Sequence, residues 1–405
     1  MSERYLEPVP CHVLSPVMSV PCHVEKSRNG GKNMDRNKDK LVQVEIKGFK
    51  SVSTKKPLVL DFCDVTILLG ANGSGKSNII SFFKMLSYMM TGALQKFVAQ
   101  SGTNQNFLHY GSRITPSLSG KIKFKKGNDF ETYSFELTQA SGEKLIITSE
   151  EVSWQKKGEL KPFTTQVESD YKESGLVDND GQTEIIIKTL LSKCKAYQFH
   201  DSSATGPLRQ ASRINTAQYL QSEGNNLASF LYYLKNNYEK EYKRIVSYVN
   251  MILPHFGDFY LEPENDYVRL NWKDDSGNDY VFSPDQFSDG SIRFIALATL
   301  LLQPEKTMPR MIIIDEPELG LHPYAIEQLI QMIKDASVHS QVIIATQSPQ
   351  LIDGFSLDSI VVLEQDDETK STVAHKLDKE RLKEWIEEYT VSELWRKNVI
   401  GGQPL

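Results

Sequence analysis

At 405 residues the chain has material for one large or two medium cores, and its 40% hydrophobic and 24% charged residues are ordinary for a globular protein. A net charge of −6 excludes a general attraction to nucleic acid, so any phosphate-backbone contact needs a local basic patch. No stretch approaches the roughly 18 uninterrupted apolar residues of a membrane-spanning helix. The four scattered cysteines (Cys11, Cys22, Cys63, Cys194) exclude a disulfide framework and fit a reduced cytoplasm.

Residues 1–33 lack a secretory pattern and carry Val-Pro-Cys-His-Val twice, at 9–13 and 20–24. The adjacent pairs Cys11-His12 and Cys22-His23 lack the looped spacing that lets four ligands surround zinc, so a disordered extension is expected. Gly30-Gly-Lys-Asn33 suits encoding by a purine-rich ribosome-binding site, so Met34 is the expected translation start, with the extension untranslated. Residues 34–116 read as an N-terminal lobe. Residues 42–46 alternate like a strand, 57–62 form a second strand, and 65–69 form a continuous apolar strand covered on both faces. A helix follows from near Gly75 through Phe82 and Met85. Residues 117–200 read as an antiparallel β insert, with 171–183 as its mobile loop. Residues 201–281 form a helical subdomain and link, helical from Asn215 to about Leu253. Residues 282–375 form a C-terminal lobe and 376–405 a tail. The expected fold is therefore α/β, with a mixed sheet.

Gly70-Ala-Asn-Gly-Ser-Gly-Lys-Ser77 satisfies G-x-x-x-x-G-K-[ST] directly after the buried-type strand. Glycines let a backbone wrap phosphates, so that its amides and the helix N-terminus face the negative charge. Gly70, Asn72, Gly73, Ser74, Gly75, Lys76, Ser77 and Asn78 are the candidate nucleotide-binding residues. Lys76 is expected to reach the β- and γ-phosphates of ATP, and Ser77 to ligate Mg2+. Met311-Ile-Ile-Ile-Asp-Glu316 is an apolar strand ending in paired carboxylates. Asp315 is the second candidate metal ligand and Glu316 the candidate general base. Ser288-Asp289-Gly290-Ser291 opens an apolar helix, with Ser288 as N-cap and Gly290 permitting close approach of a ligand; an ordinary capped helix is the alternative. Gln341-Val-Ile-Ile-Ala-Thr-Gln-Ser-Pro349 is a further buried strand ending in polar side chains.

In chain order, the P-loop, Ser288-Asp-Gly-Ser291, Asp315-Glu-Pro-Glu-Leu-Gly-Leu-His-Pro323 and Thr346-Gln-Ser348 together resemble the ABC-type ATPases of the SMC, RecF and OLD group. The match is closer to bacterial stand-alone ATPases with an AAA_21-type core. It extends to Phe199-His-Asp201, to Glu223-Gly-Asn-Asn-Leu-Ala228 and to Glu393-Leu-Trp-Arg-Lys-Asn-Val-Ile-Gly-Gly402. The resemblance implies a P-loop head resembling RecF and SMC. Two copies would pair head to tail, with each ATP between one copy's P-loop and the other's residues 288–291. It also implies catalytic roles for Lys76, Glu316 and the switch residue Gln347, where such proteins usually carry histidine. Glutamine orients water but does not titrate near neutrality, so slow turnover is expected. Gln100, Gln105 and His109 are the candidates for the Q-loop residue.

The expected role is an ATP-dependent switch in DNA repair or phage defence, working with a separate TOPRIM-like or other effector and not with a membrane. DNA is a candidate partner through Lys121, Lys123, Lys125 and Lys126, or through Lys240, Lys243 and Arg244. Two alternatives share the P-loop. The long interval between Ser77 and Ser288 speaks against a transporter subunit. The intact Lys76, Asp315 and Glu316 speak against a scaffold that never hydrolyses ATP.

Overall fold

Alternating apolar residues build the first strands, β1 (Lys40–Lys47) and β2 (Leu58–Asp61). In the computed structural model, residues 39–403 are described; the extension 1–33, with Cys11, His12, Cys22 and His23, and the start at Met34 lie outside the described residues. All five residues of β3 (Val65–Leu69) are buried, and the strand leads through the glycine-rich turn into α1 (Lys76–Met89) and α2 (Leu94–Gln100). A meander follows, β4 (Ser117–Lys126), β5 (Asp129–Ala140), β6 (Lys144–Gln155) and β7 (Phe163–Gln166), then α3 (Gln182–Ser192) and β8 (Cys194–Tyr197). The next stretch holds β9 (Ser212–Arg213), α4 (Leu227–Asn237), α5 (Glu239–Ile252), β10 (Phe256–Tyr260), β11 (Tyr267–Val268) and β12 (Asn271–Asp274). The last part runs α6 (Asp289–Leu301), β13 (Met311–Asp315), α7 (Pro323–Ala336), β14 (Gln341–Thr346), α8 (Pro349–Ile352), β15 (Ile360–Gln365), β16 (Thr372–Lys376), α9 (Lys379–Glu388) and α10 (Val391–Arg396).

Two six-stranded sheets organise these elements. The antiparallel one has the order β2-β1-β4-β5-β6-β7, and the mixed one β16-β15-β3-β14-β13-β8. In the mixed sheet only β16 runs antiparallel to its neighbour. Both faces are covered, and the period of two divides its side chains between two cores. Ile67, Ile312, Ile314, Val342 and Ile344 join the core containing α4 to α8. Leu68, Met311, Ile313, Ile343 and Ala345 join the core containing α1 to α3 and the antiparallel sheet. Gln341 stitches the sheets together: its Oε1 accepts the Leu41 N–H at 2.7 Å and its Nε2 donates to Leu41 O at 2.9 Å.

The structure refines three sequence expectations. Strands of the antiparallel stretch 117–200 join partners outside it: β4 pairs with β1 along its length, and β8 leaves the meander to become the edge of the mixed sheet beside β13. The helical stretch 215–253 begins only at Leu227. Before it, Asn226 is buried and tethers the chain, donating to Thr216 O and Tyr219 O at 2.7 Å each. The loop 171–183 is anchored. The buried Glu150 carboxylate accepts from Ser174 Oγ, Tyr133 Oη and the Gly175 N–H, and Glu173 accepts from the Leu94 and Gln95 N–H groups.

Candidate functional site

The register of the mixed sheet brings the motifs together. β3, β14 and β13 are parallel neighbours, with Leu69 opposite Thr346 and Ala345 opposite Asp315. Their C-terminal ends are therefore level. At about 4.8 Å per strand, the start of the P-loop lies roughly 10 Å from Asp315, with Thr346 and Gln347 between them. A crevice at the carboxyl ends of parallel strands is where α/β sheets bind ligands.

The P-loop has the form of an anion cradle. Gly73 and Gly75 take φ of 85° and 103°, in the left-handed half of conformational space. A Cβ on Gly70 would lie 2.5 Å from Leu363 O, so the loop passes flush against β15. Ser74 Oγ is buried without a hydrogen-bond partner, a polar atom left over inside the loop. Lys76 is 5% exposed, and its Nζ donates to Gly70 O at 2.6 Å and Ala71 O at 3.0 Å. Burial pushes the Lys76 pKa down, while the negative charges of Glu316, Asp315 and Glu318 work against that shift. Lysine and carboxylates thus sense one another across the crevice. Ser77, Asn72 and Gly73 are exposed. Asn78 instead turns its amide onto Ser51 Oγ at 2.7 Å, and Ser51 Oγ lies 2.8 Å from Thr372 Oγ1. Its contact braces the loop from behind.

Asp315 follows Ile313 by two and so faces the α1 side of the sheet. Its Oδ2 accepts from Gln198 Nε2 at 3.1 Å, and Gln198 Oε1 accepts from Lys84 Nζ of α1 at 2.8 Å. Glu316 has φ of 43°, an uncommon conformation for a side chain of its size, and its N–H donates to Ala345 O at 2.8 Å. Pro317 and the turn behind it lead to His322, whose Nδ1 accepts the Tyr324 N–H and caps α7, with Pro323 in the first turn. Glu318 Oε1 accepts from Thr346 Oγ1 at 2.5 Å, and Oε2 is buried without a partner. Burial raises the Glu318 pKa; Thr346 and the Gln347 amide oppose the rise. Glu318 therefore links the carboxylate turn to the segment carrying Gln347.

Ser288 caps α6, accepting the Ser291 N–H at 3.1 Å, and both Ser288 and Asp289 are exposed. A Cβ on Gly290 would lie 2.5 Å from Gly320 O, so its lack of a side chain admits this chain's own turn. Arg293 donates to Leu319 O at 3.0 Å and His200 O at 2.6 Å, and His200 Nε2 lies 3.0 Å from Asp315 O. The buried guanidinium of Arg209 donates to Ser202 O, Phe287 O and Asp289 Oδ1. Among the described residues, no hydrogen bond or ion pair joins 288–291 to 70–78.

Gln198, Glu318 and Arg209 were not singled out from sequence. None of the three Q-loop candidates has a hydrogen bond to the carboxylate pair. Gln105 bonds Ser112 in an exposed turn, His109 Nδ1 meets Lys50 O, and Gln100 lies at the end of α2. Gln198 occupies that place because β8 runs beside β13. Of the basic stretches, Lys126 pairs with Glu131 at 3.6 Å and Lys123 Nζ sits 4.2 Å from the Phe130 ring centroid. Lys243 pairs with Glu239 and Arg244 with Asp335. No helix among the described residues is long and apolar enough to cross a membrane.

Residues 65–353 match the AAA_21 family, described as AAA domain, putative AbiEii toxin, Type IV TA system. No curated protein matches the chain. Among solved structures, an Smc head bound to the C-terminal winged-helix domain of ScpA is similar at a TM-score of 0.55 and 17% identity, covering 84% of this chain and 99% of that one. A second Smc head, with an extended coiled coil and bound to the C-terminal domain of ScpA, from Pyrococcus furiosus, is similar at a TM-score of 0.52 and 15% identity, covering 87% and 99%. With the match spanning both ends of the crevice, the chain belongs to the AAA_21 family and has the P-loop fold of the Smc heads.

Proposed function

We propose that the protein binds ATP with Mg2+ and hydrolyses it slowly, as a switch that closes and opens a head-to-tail dimer. The observation that carries this reading is the level alignment of the P-loop, Gln347 and the Asp315–Glu316 pair at the ends of three adjacent strands. The glycines and the amides of 73–78 cradle the phosphates. Lys76 exchanges its two carbonyl partners for phosphate oxygens. Ser77 and Asp315 hold Mg2+, with Gln198 fixing the Asp315 carboxylate. Bound Mg2+ supplies charge neutralisation on the phosphoryl oxygens. Glu316 polarises the attacking water and Gln347 orients it.

The exposed N-terminus of α6, unconnected to its own chain's P-loop, supports the pairing in trans. A γ-phosphate gives the two surfaces a shared charge, and its loss removes that differential interaction. A role in phage defence or DNA repair with a separate effector rests on the family's toxin–antitoxin description and on the two similar heads carrying a bound partner domain. A reducing cytoplasm suits the free Cys63 and Cys194. Steady-state phosphate release and light scattering test the core of the reading. Lys76→Ala should lose ATP binding, and Glu316→Gln should lower turnover at least about 100-fold while holding an ATP-dependent dimer. Unchanged hydrolysis in Glu316→Gln removes Glu316 as the base.

A further inference from the structure

Residues 395–403 have no part in the scheme above, yet they reach the P-loop. Gly402 O accepts the Ala71 N–H at 3.0 Å. The carbonyl of the same peptide unit, Gly70 O, accepts from Lys76 Nζ. One peptide at the mouth of the loop is therefore held at both ends, by a P-loop side chain and by a backbone more than three hundred residues away in sequence.

The segment is itself fastened. Glu364, in β15, accepts the Gly402 N–H at 3.3 Å. His375 of β16 places Nε2 3.1 Å from Ile400 O and Nδ1 3.7 Å from Glu364 Oε1. Leu394, Trp395 and Ile400 are buried, and the Ser392 N–H donates to Asp353 Oδ1 just beyond α8 at 2.8 Å. Gly401 and Gly402 take φ of 72° and 78°, and a Cβ on Gly402 would come within 2.7 Å of Val362 Cγ1. The double glycine lets the backbone turn between β15 and the P-loop. Because α8 opens directly after Gln347, capped by Ser348, the segment runs from the switch side of the site to the P-loop side.

We propose that residues 400–403 are a positioning strap for the nucleotide site, resting on the nucleotide-binding reading given above. When Lys76 leaves Gly70 O and Ala71 O for phosphate, the Gly402 carbonyl is the tie that keeps the loop mouth in its binding form. The amides then meet a triphosphate without first being ordered. Glu364 is the residue that holds the strap. It also lines the cavity of about 790 Å³ bounded by Ala71 to Ser74, Gly402 and Gln403. A carboxylate there repels a triphosphate, so removing it for charge reasons alone strengthens ATP binding, whereas releasing the strap weakens it. The two effects have opposite signs.

The test uses the full chain, a fluorescent ATP analogue with Mg2+, and hydrogen exchange at the Ala71 amide. Glu364→Ala and Gly402→Val should bind the nucleotide about 5- to 20-fold more weakly, the range expected for losing a tie of one or two hydrogen bonds. Glu364→Gln keeps an acceptor oxygen while losing the charge, so it should bind the nucleotide at least as tightly as the parent. Exchange at Ala71 should rise in Glu364→Ala while the β3 amides stay protected; this variant carries the test if Gly402→Val does not fold. Binding in Glu364→Ala that equals or exceeds the parent's, with Ala71 protection unchanged, overturns the strap. If the parent and Lys76→Ala alike fail to bind ATP, the nucleotide-binding reading falls, and Ala71 exchange still decides whether Glu364 holds the loop.

Discussion

Replacing Gly75 with alanine should destabilise the protein more than replacing Gly73, although both sit at positive φ. The backbone strain is comparable, about 1–2 kcal/mol for an L-residue in this region. The surroundings differ. A Cβ on Gly73 meets nothing within 4 Å, whereas one on Gly75 would fall on Thr372 Oγ1 and within 2.9 Å of its Cγ2. Thr372 has nowhere to go: it is 1% exposed, its Oγ1 donates to Ser74 O at 2.9 Å, and its N–H is bonded to Ser51 O at 2.8 Å. Displacing its hydroxyl breaks the bonds to Ser74 and Ser51, at about 1 kcal/mol each. Gly75→Ala should therefore cost about 3–4 kcal/mol and Gly73→Ala about 1–2 kcal/mol. Urea unfolding followed by two probes measures both, with coincident transitions as the check on two-state behaviour. Thr372→Ala in the Gly75→Ala background should be clearly less than additive, because it removes the colliding atom. Equal losses for the two glycine variants, with simple additivity in the double variant, refute the packing of the P-loop against β16.

Two further outcomes follow from the site. Gln198→Ala frees one oxygen of Asp315 and should raise the Mg2+ concentration that half-saturates hydrolysis about tenfold, as for other groups that orient a metal ligand; an unchanged Mg2+ requirement removes Gln198 from the site. Glu318 has a folded pKa above its unfolded value of about 4.5. Its contribution is therefore most favourable below that pH and declines as pH rises through the folded value. Glu318→Gln lacks this dependence, so the stability difference should move in the variant's favour as pH rises from 4.5; a flat difference contradicts the burial penalty.

The P-loop and the Asp-Glu strand were legible because each joins a continuous apolar run to residues with narrow chemistry. A strand such as Val65–Leu69 that is apolar at every position has to be covered on both faces, and α1 begins one residue after the expected Gly75. Gln198 was hidden because β8 is only four residues long, with Lys195 interrupting its apolar pattern, and because its partner Asp315 is distant in sequence. Nothing in the sequence marks Glu318, whose carboxylate is covered only in the tertiary fold, where Thr346 bonds it. The need for close approach at Gly290 was legible, and the turn at Gly320 is one group that makes use of it. The partners of the insert's strands were not legible, because strand patterns carry no record of which sheet they join; β1 supplies the edge on which the meander grows.

The central claim is that Lys76, Ser77, Asp315 and Glu316 form one site for a triphosphate and its metal. Its most direct test is an experimental structure of Glu316→Gln with ATP and Mg2+. The account predicts γ-phosphate oxygens within hydrogen-bonding distance of Lys76 Nζ, the metal between Ser77 Oγ and the Asp315 carboxylate, and residues 288–291 of a second copy closing over the phosphate. A triphosphate bound away from residues 70–78, or a metal remote from Asp315, contradicts it.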